Sequence, residues 1–124
     1  MAEILLVSIG AILGANLRFK IHNKLEKINL SKDFIILIIN TFTSFCLGLF
    51  LSLEEQLRAL TYYYQLVLFF SIGFLGSLST FSSFVYDLFD LCLQLEFFRA
   101  LKLFTISASV GIIAFAFGFF LGNQ

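Results

Sequence analysis

The chain has 124 residues, 60% of them hydrophobic and only 13% charged, with eight Lys and Arg balanced by eight Asp and Glu. A soluble domain of this length has too little interior to hide that much apolar surface, so the composition points to a membrane protein. A formal net charge of zero leaves no basic footprint for nucleic acid.

The first span is predicted over residues 4–19. Gly10 and Gly14 are four apart, with Ala11 and Ala15 one step round the helix. That small-residue spacing lets a second helix approach closely in lipid. The run lacks a basic leader and a small-residue cleavage site, so a removed signal peptide is not expected. Arg18 closes the span and has two readings: it snorkels to the headgroups, or it serves a pore vestibule. Residues 20–33 form the first loop. Ile21, Leu25 and Ile28 at helical spacing, beside Lys20, Lys24 and Lys27, fit a short interfacial helix. His22 reads as a solvated loop histidine.

The second span covers residues 34–53, long enough to cross the hydrocarbon. Asn40, Thr43, Ser44 and Gly48 fall at i, i+3, i+4 and i+8, which places them on one helix face. An amide in lipid needs a partner. The stripe is therefore expected against another helix or a wet cavity, and both an interhelical hydrogen bond and a ligand role satisfy it. Residues 54–61 form a short polar loop, and Tyr62, Tyr63 and Tyr64 read as an interfacial anchor.

The third span covers residues 66–85. Its centre, Gly73–Phe84, carries two glycines and five hydroxyl side chains inside an apolar run. Such a stretch is expected to leave the helix, with Gly73 and Gly76 supplying the backbone freedom. Freed carbonyls in a membrane must be buried in protein, line water or bind a cation, as discontinuous membrane helices do with Na⁺. Phe81 and Phe84, three apart, either pack in the core or turn their electropositive edges to an anion, with the Asn40 amide as donor. Asp87 and Asp90 mark the exit, and residues 86–102 make the third connection. The fourth span, residues 103–121, carries Thr105, Ser107 and Ser109. Its small-residue spacings, Ser107 with Gly111 and Gly118 with Gly122, read as packing. Cys46 and Cys92 show no metal spacing and read as free, buried thiols.

Four apolar runs near 20 residues, joined by short connections, specify one all-α membrane domain over residues 1–124. The runs do not alternate, which excludes a barrel. Seven of the eight basic residues, Arg18, Lys20, Lys24, Lys27, Lys32, Arg99 and Lys102, border the first and third loops, and only Arg58 borders the second. The positive-inside rule then places those two loops in the cytoplasm and both termini outside.

Enzyme chemistry is not expected: there is no intramembrane carboxylate pair, no Ser–His–acid set, no phosphate loop and no metal cluster. A proton-coupled exporter needs a mid-span ionisable group, and the spans carry none. A neutral polar path of amide, hydroxyl, aromatic and backbone groups suits passive conduction of a small ion. A small multidrug exporter and a non-transporting assembly protein are the competing readings. The first should show a mid-span glutamate, and the second would use the polar stripes only as packing.

Three blocks together resemble the Fluc/CrcB family of fluoride channels: residues 10–19 (Gly-Ala-Ile-Leu-Gly-Ala-Asn-Leu-Arg-Phe), Asn40 with Gly48, and Gly73–Phe84. The similarity covers essentially the whole chain. The third block is the specific one and departs from the family pattern only at Leu75, Ser77, Ser79 and Ser83. The resemblance implies an antiparallel, dual-topology dimer with a third helix broken near its middle. It also implies passive export of fluoride across a bacterial-type plasma membrane. It assigns main-chain carbonyls of Gly76 and Ser79 to a structural Na⁺ at the dimer centre. Asn40, Phe81 and Phe84 become pore residues, with Thr80, Ser82 or Ser83 as the hydroxyl near the track. Arg18 matches the family's arginine at the end of the first helix. Thr43 stands where the family usually has glycine, and Leu103 where many members have tyrosine, so the contacts made there are open. The seven-to-one charge bias raises a further question, because a chain that inserts both ways needs little bias. The dimer is therefore formed with itself or with an oppositely oriented homologue.

Overall fold

The structure, a computed structural model, describes residues 1–79 and 81–123, with the side chain of Ser82 also outside the description. Helix is the regular structure of the described residues: α1 (Ala2–Glu26), α2 (Lys32–Ser52), α3 (Glu54–Arg58), α4 (Tyr63–Leu66), a π-helical segment (Val67–Leu75), α5 (Gly76–Leu78), α6 (Phe81–Leu93) and α7 (Phe97–Gly122). Four stretches are long and apolar enough to cross a membrane: Ala2–Glu26, Lys32–Ser52, Tyr63–Leu93 and Phe97–Gly122.

The connections are shorter than the sequence implies. Residues 20–26 continue α1 instead of forming a separate interfacial helix. The reason is local: the chain contains no proline, and no glycine follows Gly14 before Asn29, which turns the chain at φ 64°. His22 therefore sits on α1, with Nδ1 3.7 Å from Glu26 Oε2 one turn on. Ser31 then caps α2, its hydroxyl accepting from the Phe34 amide at 3.3 Å. In the same way α6 runs on to Leu93, and the third connection shrinks to residues 94–96. Leu95 makes that turn at φ 61°, a left-handed conformation costly for a branched side chain.

The helices pack as two tight pairs, each closed by glycine against main-chain carbonyls. α2 lies along α7. A Cβ on Gly48 would overlap the Phe115 carbonyl, one on Gly118 the Phe45 carbonyl, and one on Gly122 the Ser52 hydroxyl. α1 lies along the first half of the third span. A Cβ on Gly10 would overlap the Phe69 carbonyl, and one on Gly14 the Phe74 carbonyl and the Ser77 hydroxyl. Gly73 returns the contact, since its Cβ would lie 2.7 Å from the Val7 carbonyl. Only glycine allows helix axes this close in lipid. Ile35, Ile39 and Leu78 are the largest fully buried side chains. Many other apolar side chains face outward, as expected where lipid is the solvent.

The first and third connections share one end of the bundle. Lys32 Nζ stands 5.6 Å from the centre of the Tyr86 ring. Asp33, Arg99 and Lys102 line one small hollow there. At the second connection Glu54 accepts from Arg58 and, at 3.0 Å, from the Tyr63 hydroxyl. The Arg58 and Tyr63 hydrogen bonds hold the Glu54 carboxyl below its ordinary value of 4.5. Both cysteines are free, but neither is buried: Cys46 is half-buried and Cys92 exposed.

Candidate functional site

The α2 positions Asn40, Thr43, Ser44 and Leu47 recur at i, i+3, i+4 and i+7 and form one wall of a cleft of roughly 350 Å³. Ser71 and Leu75 of the π-helical segment, Gly76 of α5, then Ser79 and Phe81, form the other wall. A wide π turn shifts the side-chain register from that of an α-helix, and here it sets Ser71 and Leu75 toward α2. None of the lining residues is ionisable. The cleft is neutral, with amide, hydroxyl, main-chain and aromatic groups on its surface.

The expected stripe on α2 is split. Asn40, Thr43 and Ser44 face the cleft, whereas Gly48 is turned to the α7 backbone. Thr43 is buried at 6% exposure, and its hydroxyl donates back to the Ile39 carbonyl at 2.8 Å. The extra hydroxyl is thus spent inside its own helix. The sequence pattern alone does not single out Leu47, Ser71 and Leu75. Ser71 carried one usable signal, a hydroxyl in an otherwise apolar run, but only the π turn directs it to Asn40's side.

Within Gly73–Phe84 the described residue with extended backbone is Ser79, and the two glycines stay in helical segments. Gly76 has helical angles, φ −61° and ψ −38°, and no glycine has a positive φ among the described residues. Gly73 is buried and serves the close approach of α1. Ser79 is the extended residue, φ −69° and ψ 155°, between the end of α5 and the start of α6. Its amide donates to the Leu75 carbonyl at 3.2 Å and its hydroxyl to the Gly76 carbonyl at 3.2 Å. Its own carbonyl accepts from Arg18 Nη1 at 3.4 Å. Arg18 therefore touches the third span instead of reaching freely toward headgroups.

Of the predicted site residues, Asn40, Gly76, Ser79 and Phe81 come together at the cleft. Phe81 is 73% exposed in the single chain, so one side of its ring is available to something outside it. Phe84 does not line the cleft. Its ring lies 6.4 Å from that of Phe104 on α7, at an interplanar angle of 27°. Ser83 is half-buried and also outside the lining. Thr80, and the side chain of Ser82, lie outside the described residues. Gly10 and Gly14 are packing residues of α1. Leu103 lies in the hollow with Asp33 and Arg99, at the connection end and not at the cleft. Ser107 lines a shallow groove with Ser44 and Gly111 between α2 and α7.

Residues 5–119 match the family described as "CrcB-like protein, Camphor Resistance (CrcB)". The chain is 79% identical over 124 residues to "Fluoride-specific ion channel FluC 2" of Prochlorococcus marinus (strain NATL2A), covering 100% of both. It is 41% identical over 120 residues to "Fluoride-specific ion channel FluC 1" of Parasynechococcus marenigrum (strain WH8102), covering 97% of this chain and 93% of the relative. It is 40% identical over 91 residues to "Fluoride-specific ion channel FluC" of Haemophilus influenzae (strain PittGG), covering 73% of this chain and 70% of the relative. The match runs through all four apolar stretches and the cleft between them, and the chain belongs to the CrcB (Fluc) family of fluoride channels.

Proposed function

We propose that the chain forms a fluoride-specific channel, not an enzyme, that lets fluoride leave the cell passively through the plasma membrane. The observation that carries this reading is the neutral cleft shared by Asn40, Ser79 and Phe81. A small anion needs donors to replace its water, yet must not be held too firmly to move on. An amide offers two N–H donors, a serine hydroxyl one, and a phenylalanine edge a weak positive rim. With no fixed charge in the lining, none of these binds the anion as an ion pair would. Phe84 is the second proposed aromatic contact, with Thr80, Ser82 or Ser83 as the further hydroxyl.

The cleft is open on one side, and Phe81 projects from it. This supports an assembly in which a second, antiparallel subunit closes the path. We infer that the third span is interrupted around Ser79 for the same purpose. The Gly76 and Ser79 carbonyls suit a structural sodium ion at the dimer centre. Both are neutral main-chain oxygens, and accepting from the Ser79 hydroxyl or from Arg18 uses one of each oxygen's two lone pairs. A bound ion would supply a fixed positive charge that holds the two carbonyls, and those of a second chain, together. The partner is a second copy or an oppositely oriented homologue. The seven-to-one distribution of basic residues favours the homologue, and relatives named FluC 1 and FluC 2 are in keeping with paired subunits.

Fluoride efflux from liposomes containing the protein, alone and co-assembled with such a homologue, tests the proposal. Efflux that discriminates fluoride from chloride is expected, and Asn40→Asp should abolish it by setting a negative charge in the path. A folded assembly that passes no fluoride in either form would sink the channel reading. An antiparallel dimer that conducts when purified alone would instead exclude the obligate homologue.

A further inference from the structure

Gly10, Gly14 and Arg18 lie at i, i+4 and i+8 of α1 and share one face. The two glycines press that face against the third-span backbone at Phe69 and Phe74. One turn further along, the face carries Arg18, and the third-span backbone has become extended at Ser79. A ψ of 155° takes the Ser79 carbonyl out of the helical ladder, and Arg18 Nη1 donates to it at 3.4 Å. Arg18 is half-buried and makes no ion pair among the described residues. A full positive charge thus rests on a main-chain oxygen, balanced by no carboxylate among the described residues, although its stem is long enough to snorkel away.

We propose that Arg18 is a tethered cation that sets how tightly the Ser79 carbonyl holds a bound sodium ion, an inference that rests on the sodium site proposed above. The guanidinium does two opposed things. Its hydrogen bond fixes the direction of the carbonyl, and its charge repels a second cation at the same oxygen. Like charges a few ångströms apart couple strongly away from bulk water. Removing the charge while keeping a donor therefore tightens sodium binding, and keeping the charge preserves it.

The test is thermal unfolding of the assembled protein in detergent, with sodium exchanged for N-methylglucamine at constant ionic strength. The readout is the sodium concentration giving half of the maximal stabilisation. Arg18→Gln should lower that concentration by roughly tenfold or more, and Arg18→Lys should leave it near the wild-type value. His22→Glu sets a carboxylate one helical turn from Arg18 while leaving the guanidinium in place, and should shift the midpoint the same way by a smaller factor. That variant decides the matter if Arg18→Gln does not assemble. An unchanged midpoint in Arg18→Gln or, failing its assembly, in His22→Glu overturns the proposal and leaves the sodium site standing. A wild-type assembly that does not respond to sodium overturns the sodium site, and this inference with it.

Discussion

The two glycine-closed helix pairs begin alike and end differently. Along α2 and α7, glycines at 48, 118 and 122 meet the backbone or side chain of the facing helix, and both helices stay regular throughout. Along α1 and the third span, Gly10, Gly14 and Gly73 make the same kind of contact. There, however, the facing chain is π-helical over Val67–Leu75 and extended at Ser79. Glycine spacing by itself thus yields only proximity. The polar cleft arises where close packing meets irregular backbone, because that is where main-chain groups and off-register side chains turn toward α2.

The largest expected effect breaks the shared feature. Gly14→Val would drive a branched side chain into the Phe74 carbonyl and the Ser77 hydroxyl, with overpacking on the order of 3 kcal/mol or more. Loss of the folded assembly on size-exclusion chromatography is expected, and a normal elution profile would show that α1 is not held as tightly as the contacts imply. Gly111→Ala on α7 is the matched control. Its new methyl would stand 3.6 Å from the Ser44 hydroxyl, ordinary contact distance, so folding should survive.

The next effect separates the two phenylalanines. Phe81 lines the cleft, whereas Phe84 stacks near Phe104. Phe81→Ile should lower fluoride flux by about tenfold or more, the loss expected for one favourable contact to an ion. Phe84→Ile should cost less flux and more stability. Flux measured in liposomes beside a melting curve distinguishes them, and equal flux losses would give Phe84 as direct a contact with the ion as Phe81.

Smaller still is Thr43→Val. The Thr43 hydroxyl already donates to the Ile39 carbonyl, so its removal should leave flux near wild type and change stability by about 1 kcal/mol or less. A large flux loss would mean that the hydroxyl turns into the cleft during conduction. The smallest effect concerns Glu54, at the connection remote from the cleft. Its depressed carboxyl contributes stability that is present above its ordinary value of 4.5 and is lost as the pH falls through its lower folded value. The group is exposed, so Glu54→Gln should leave flux unchanged and only flatten the acid side of a pH–stability profile. A flux change in that variant would tie the second connection to the path.

Much of this was legible in the chain itself. Apolar runs of spanning length determine four membrane crossings, because lipid accepts little else. The Gly10–Gly14 spacing determines a close helix contact, and the block Gly73–Phe84 marks the chain's family. The third-span geometry was legible only in part. Gly76 holds helical angles, Gly73 lies inside the π-helical segment, and the extended residue is Ser79, whose own side chain and amide hydrogen-bond back to the turn before it. The stripe on α2 could be read as a face, but not its division between cleft and α7.

The sequence by itself determined what kinds of group this protein presents: apolar spans, small-residue faces, one polar block and one arginine closing the first apolar run. Only the tertiary structure decided which of them meet. It brought Asn40 and Phe81 to one cleft, sent Phe84 to Phe104, and laid Arg18 on the carbonyl of a residue 61 positions away. The reason is physical. Local pattern specifies which face of a helix is apolar or polar, whereas helix register, π turns and the partner across a contact are set by packing between segments distant in the chain.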